Sequence, residues 1–274
     1  QVLAGQIDHA DSDVNVLTQA EREAGLALFC RAKAYSDLEI HAPEVTELRG
    51  ISIQKTAARV ASIERCSADV AIVRLQLPPT MPFRYFPGQY VEVILKDGSR
   101  RSYSMATIPQ ENNQLEWHIR NTGGNFSRYV YEELKEKTLL RLEGPFGTFY
   151  LRDTERPIVC IASGTGFAPI KALLEQLVLQ NTQRPVYLYW GGRQLCDLYQ
   201  HEWVTDFAAH HPWFKYITVL SDQEAGSGWD GATGFVHAQV MRDFNNLSAY
   251  EVYACGNPLM VDSARKDLVD KCAL

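Results

Sequence analysis

Residues 157–180 read PIVCIASGTGFAPIKALLEQLVLQ, and the order of features in this stretch decides the fold class. An unbroken apolar run is followed by a turn carrying two glycines and then by an amphipathic run of helical period. A strand that is apolar at successive positions is buried on both faces, the mark of a parallel sheet covered by helices. The unit recurs in PVYLYWGG (185–192), FKYITVLS (214–221) and YEVYACG (250–256), with FVHAQVMRDF (235–244) as a second helix. Strand and helix alternating over 153–274 predict an α/β domain built on a parallel sheet.

Upstream, the period changes to two. ARVASIERC (58–66), VAIVRLQL (70–77), GQYVEVIL (88–95), RRSYSMA (100–106), QLEWHIRN (114–121) and TLLRLEGPFGTFYL (138–151) read as strands separated by Pro-Pro, Asp-Gly and Gly-Gly turns. Six short strands with one helix among them predict an antiparallel six-stranded β-barrel over 49–152. The first 48 residues are polar, with a short helical pattern TQAEREAGLALF (18–29). Three segments are therefore expected, at 1–48, 49–152 and 153–274.

With 274 residues, 46% of them hydrophobic, the chain can bury two ordinary cores. Its formal charge of −6 argues against a nucleic-acid or anionic-membrane surface, both of which need clustered Lys and Arg. No apolar run approaches the ~18 residues of a membrane span and no signal-peptide pattern opens the chain, so a cytoplasmic protein is expected. The six cysteines (Cys30, Cys66, Cys160, Cys196, Cys255 and Cys272) are scattered without a C-x-x-C pair, which favours reduced thiols. The histidines show no zinc-protease spacing.

In parallel sheets of this kind ligands bind beyond the carboxyl ends of the strands. The first such end carries Gly164, Thr165 and Gly166, where glycine lets the backbone approach a pyrophosphate and the following helix aims its amides at the anion. A tight strand-to-helix turn would use the same residues. The last end carries Cys255 and Gly256, with Pro258 opening a helix. Cys255 is either a small buried residue or a functional thiol facing the dinucleotide. In the barrel, Arg101 can hold a phosphate, Tyr103 offers a flat stacking face, and Ser104 can donate to a heterocycle nitrogen. Arg100 reads as an ordinary cross-strand partner. The loop NTGGNFS (121–127) runs into a helix, with Asn125 or Ser127 as caps, and its first-turn amides form a second anion site. The two separated anion sites suit the two ends of one pyrophosphate.

R-x-Y-S at 101–104, GGNFS at 123–127, GPFG at 144–147, GTGFAP at 164–169 and CGNP at 255–258 closely resemble the ferredoxin–NAD(P) reductase superfamily, in the right order across nearly all of 50–274. The resemblance implies an FAD-binding barrel followed by an NAD(P)-binding domain. It implies that Arg101 pairs with the FAD pyrophosphate, Tyr103 stacks on the flavin and Ser104 bonds near the atom that accepts hydride. His118, Ile119 and Arg120 would border the cofactor, and Gly124, Asn125, Phe126 and Ser127 would bind its pyrophosphate. Gly164, Thr165 and Gly166 would take the phosphates of the nicotinamide dinucleotide, with Cys255 beside the reacting carbon and Gly256 and Pro258 adjoining. Asp222 after Ser221 points to NADH rather than NADPH, because a carboxylate there repels a 2′-phosphate, whereas Arg193 argues the other way.

The N-terminal segment resembles the back half of a plant-type [2Fe–2S] ferredoxin domain, with Cys30 in the place of the fourth ligand and the other three expected before Gln1. The chain is thus expected to be a fragment in which no cluster assembles, and which also lacks a terminal aromatic near the flavin. The implied activity is hydride transfer from NADH, or NADPH, to FAD, then single electrons through [2Fe–2S] to an acceptor protein. The stretches VLSD, GATGFVHAQV and YEVYACGNPLMVDSARKDL resemble reductases that serve a CDP-sugar dehydratase or an oxygenase. A free-flavin reductase and a non-turnover FAD-binding subunit are the alternatives.

Overall fold

A computed structural model describes residues 1–10, 17–29, 31–41, 50–223 and 228–274. Cys30, the expected cluster ligand, lies outside the described residues. The chain divides into two compact units, Gln1–Gly50 and Ile51–Leu274. Among the described residues, no helix is long and apolar enough to cross a membrane.

In the first unit, β1 (Val2–Ala4) pairs antiparallel with β4 (Glu39–Ile40), and β2 (Ile7–Asp8) with β3 (Lys33–Ala34). The helical pattern of 18–29 yields only α1 (Gln19–Glu23). Thr18 and Glu21 form a reciprocal capping box at its start, but none of its residues is buried. A cap without a packed face does not carry a helix further than a turn or so.

The second unit contains both expected architectures. Strands β5 (Gln54–Arg65), β6 (Val70–Gln76), β7 (Tyr90–Ile94), β8 (Arg100–Ser104), β9 (Gln114–Arg120) and β10 (Leu139–Phe146) form an antiparallel sheet in the order β8-β7-β10-β5-β6-β9. Just past β8, the Ala106 N–H donates to Glu116 O of β9 at 2.9 Å, joining the two edges into a barrel. Inward residues at alternate positions, among them Val60, Val73, Val91, Leu115 and Trp117, make its core. Helix α2 (Asn125–Glu132) adds Phe126 and Val130 to that core.

Strands β11 (Ile158–Ser163), β12 (Val186–Gly192), β13 (Phe214–Leu220), β14 (Ala232–Thr233) and β15 (Glu251–Cys255) form a parallel sheet in the order β14-β13-β12-β11-β15. Its two faces enter two different cores, which explains the continuous apolar runs. Cys160, Ala162, Leu188 and Trp190 pack with α3 (Phe167–Leu179) and α4 (His201–His210). Val159, Ile161, Tyr189 and Val219 pack with α5 (Val236–Asp243) and α6 (Pro258–Cys272). Helix α4 has no strong sequence signature because it buries only Val204 and Phe207.

Candidate functional site

On β8, Arg101 and Tyr103 lie opposite Val93 and Val91 of β7 and share their face. The Tyr103 ring stacks on Trp117 at 5.3 Å and tilts against Phe126 at 5.4 Å. Burial pushes its hydroxyl up to about 12, so it stays protonated. Arg101 is exposed; its guanidinium donates to Arg100 O at 2.7 Å, forms no ion pair among the described residues, and acts on Asp97 only at longer range. Arg100 is tied to Glu92 at 2.7 Å and Glu143 at 2.5 Å, the cross-strand role expected of it. Ser104 faces Tyr90, whose ring lies 5.6 Å from Phe146. Tyr90 has no signature in the sequence beyond its place in a strand, whereas Phe146 belongs to the GPFG motif.

The cap of α2 is Gly124 rather than Asn125 or Ser127. The Ser127 hydroxyl is turned inward, where it donates to Gly124 O at 3.1 Å and accepts from the Thr122 N–H at 3.3 Å. The first helical bond is donated by Arg128 to Gly124 O, so the amides of Asn125, Phe126 and Ser127 precede it with no side-chain cap. That leaves a helix N-terminus able to receive an anion. The Phe126 side chain belongs to the barrel core, which leaves its N–H as the group able to bind.

Across the carboxyl edge of the parallel sheet runs a cleft of about 510 Å³. Of the expected residues, Gly164, Arg193, Ser221 and Arg120 line it, the last coming from the barrel strand β9. Thr165, Gly166, Asp222, Cys255, Gly256 and Pro258 are not among its lining residues. Gly166 and Gly256 are instead required by packing. A methyl group on Gly166 would fall on the Cys255 carbonyl, and one on Gly256 would fall on Ser163. Pro258 occupies the first turn of α6, capped by Asn257, whose Oδ1 accepts from the Leu259 N–H at 2.9 Å. Burial pushes the Cys255 thiol up to about 11, so it is not a thiolate at neutral pH.

An oxidoreductase FAD-binding domain matches residues 57–150, and an oxidoreductase NAD-binding domain matches residues 160–266. The chain belongs to the ferredoxin reductase family. It is 41% identical over 273 residues to a CDP-6-deoxy-L-threo-D-glycero-4-hexulose-3-dehydrase reductase of Yersinia pestis, covering 98% of this chain and 80% of the relative. It is 36% identical over 240 residues to reductase component 2 of a terephthalate 1,2-dioxygenase from Comamonas sp, covering 87% of this chain and 71% of the relative. The crystal structure of an Amycolatopsis cytochrome P450 reductase superposes with a TM-score of 0.79 at 30% identity, covering 98% of this chain and 82% of that one. The protein is an NAD(P)H-dependent flavoprotein reductase, and its cofactors are FAD and the nicotinamide dinucleotide.

The cleft at the sheet edge of the reductase also contains residues without an assigned role in the sequence: Phe235, His237, Asn257, Leu259 and Met260. The signal for Phe235 and His237 was the stretch GATGFVH beyond β13, and that for Asn257, Leu259 and Met260 was CGNPLM beyond β15, at the same sheet edge. Arg120 fits an anion at this edge. Its guanidinium lies over Gly164, where an added methyl group would meet its central carbon at 3.4 Å. Nε sits 3.3 Å from Asp69 Oδ2, yet neither Nε nor Nη2, both shielded from solvent, has an aligned hydrogen-bond acceptor.

The side chains of His118 and Ile119 are both buried. Ile119 lies in the reductase's barrel core. His118 is fully buried, with Nδ1 2.7 Å from the Tyr199 hydroxyl and Nε2 3.1 Å from Glu116 Oε1. Glu116 also pairs with Lys171 at 3.2 Å and Arg74 at 3.0 Å. Burial raises its carboxyl, but the His118 hydrogen bond and the charges of Lys171 and Arg74 overcome this and hold it at about 2. A carboxyl depressed on folding contributes stability that is complete above its ordinary range near pH 4.5 and is lost as pH falls toward 2. Glu116→Gln is therefore expected to flatten the fall of the thermal midpoint between about pH 5 and 2. Parallel acid limbs for the two proteins would show that Glu116 titrates normally.

Proposed function

We propose that the chain takes hydride from NADH onto FAD held in the barrel, and that the electrons pass to an acceptor protein of the sugar-dehydratase or oxygenase class. The observation that carries this reading is Arg120, a residue of barrel strand β9 that lines the dinucleotide cleft and packs over Gly164. The two binding halves thus meet at one guanidinium. Arg101 and the amides of Asn125, Phe126 and Ser127 would hold the FAD pyrophosphate, Tyr103 would lie against the flavin, and Ser104 would donate a hydrogen bond to it. FAD, when bound, supplies the chemistry of accepting a hydride and releasing electrons singly. The protein's own part is to orient the two ligands and keep water out. Delivery through a [2Fe–2S] centre with Cys30 as a ligand rests on the resemblance of the N-terminal unit to a ferredoxin domain. The dehydratase and oxygenase acceptors rest on the relatives' own partners.

The preference for NADH has local support. Arg193, which would otherwise attract a 2′-phosphate, is held at both ends by Asp197, with Nε and Nη2 each 3.3 Å from a carboxylate oxygen. Asp222 follows Ser221 and donates its N–H to Arg193 O, adding a second carboxylate beside the same residue. A 2′-phosphate would meet two negative charges against one positive charge. Steady-state oxidation with a ferricyanide-type acceptor should give a kcat/KM for NADH at least ~10-fold above that for NADPH. Turnover with neither cofactor would refute the function. Turnover that favours NADPH would refute the role given to Asp197 and Asp222.

A further inference from the structure

The buried cluster around His118 belongs to neither cofactor cleft, yet it joins the halves that carry them. On the dinucleotide side it uses Tyr199, just beyond the Arg193–Asp197 pair, and Lys171 of α3, the helix that follows the glycine turn. On the barrel side it uses Glu116 and His118 of β9, and Arg74 of β6. Lys171 Nζ also donates to Ala106 O at 3.2 Å, and the Ile108 N–H donates to Glu175 Oε2 at 3.1 Å. Helix α3 therefore grips the segment that leaves Ser104. Every polar atom of the His118 ring is engaged, and its tautomer follows from its partners. An ionised Glu116 can only accept, so Nε2 carries the hydrogen and donates to it. Nδ1 of the neutral ring then accepts from the Tyr199 hydroxyl.

We propose that His118 is a positioning residue for hydride transfer, fixing the dinucleotide half against the flavin barrel through Tyr199 on one ring nitrogen and Glu116 on the other. Burial favours the neutral ring this requires. A buried neutral imidazole needs an acceptor for its N–H and a donor for its other nitrogen wherever it sits, so what distinguishes this one is where its two partners lie. Here each nitrogen is committed to a different half of the unit, and the bond between halves is the shorter of the two. Small displacements between donor and acceptor cost rate steeply, so the relative placement of the halves is a kinetic quantity as well as a structural one.

The inference rests on the reductase reading, and the two nitrogens can be separated by substitution. Glutamine in place of histidine reaches the Nε2 position and loses the Nδ1 acceptor; asparagine keeps an acceptor near Nδ1 and loses the Nε2 donor. In the FAD-loaded full chain, Tyr199→Phe and His118→Gln should lower the rate of flavin reduction at saturating NADH ~10-fold or more. The KM for NADH should move by less than ~3-fold. His118→Asn should restore most of the rate lost in His118→Gln. Amide hydrogen exchange, which needs no turnover, should speed up at 106–108 and along α3 in the first two variants and return toward wild type in His118→Asn. Unchanged reduction and exchange in Tyr199→Phe would overturn the proposal, as would a His118→Asn no better than His118→Gln. If His118→Gln does not fold, Tyr199→Phe decides alone. A wild-type protein that NADH fails to reduce would refute the reductase reading itself, while the exchange data would still decide whether the halves are held by this residue.

Discussion

Arg101→Ala should strip the protein of most of its flavin. The guanidinium is exposed, donates only to the neighbouring Arg100 carbonyl, and forms no ion pair among the described residues. A cation left unpaired on a strand whose neighbour Arg100 is held by two glutamates is available to an anionic ligand. Losing one charge-assisted hydrogen bond to a phosphate costs ~1.5–3 kcal/mol, equivalent to ~10–150-fold in the FAD dissociation constant. Arg100→Ala, which breaks only an exposed surface pairing, should change it by less than ~2-fold. Titration of the apoprotein with FAD, followed by flavin fluorescence, measures both. Equal affinities for the two variants would remove Arg101 from the flavin site. The same titration with FMN tests the second anion site at α2, because FMN carries one phosphate and should bind more weakly than FAD.

Gly166→Ala should cause the largest loss of stability. The added methyl group would fall on the carbonyl of Cys255 and against the Cα of Gly256, all backbone atoms that cannot swing aside. Gly256 is pressed in turn against Ser163, and its φ of +144° is one that side chains with a Cβ rarely adopt. The ends of β11 and β15 are thus interlocked, and neither turn can shift without moving the other. A cost of ~3 kcal/mol or more is expected, within the range for overpacking combined with backbone displacement. Gly98→Ala provides the comparison. Its φ is +82° but nothing lies within 4 Å of the added carbon, so only the cost of the left-handed conformation remains, ~1–2 kcal/mol. Urea unfolding of the three proteins at one pH measures the difference. Similar costs for Gly166→Ala and Gly98→Ala would mean that the sheet edge yields where it is described as locked.

Both sheet architectures could be read from the sequence because each has a local signature. A strand buried on both faces is apolar at every position, as β11 and β12 are, whereas a barrel strand alternates, as β5 does with Ala58 and Val60 inward. These periods depend only on which face each residue presents, so they survive in one dimension. The glycine turn, the R-x-Y-S strand and the loop before α2 were legible for the same reason, being contiguous runs whose chemistry is short-range. What the tertiary structure alone decided involves residues far apart in the chain. No local pattern could pair His118 with Tyr199, which is 81 positions distant. Arg120 entered the cleft at the sheet edge because β9 lies against the glycine turn, and Gly166 is constrained by a carbonyl from the far strand β15. The α2 cap fell to Gly124 because packing of Phe126 and inward bonding of Ser127 left no side chain to take that role. Local periodicity determines which faces must be buried, but burial can be satisfied by many partners. Only closure of the barrel onto the parallel sheet determines which polar groups lose water together and must bond to one another.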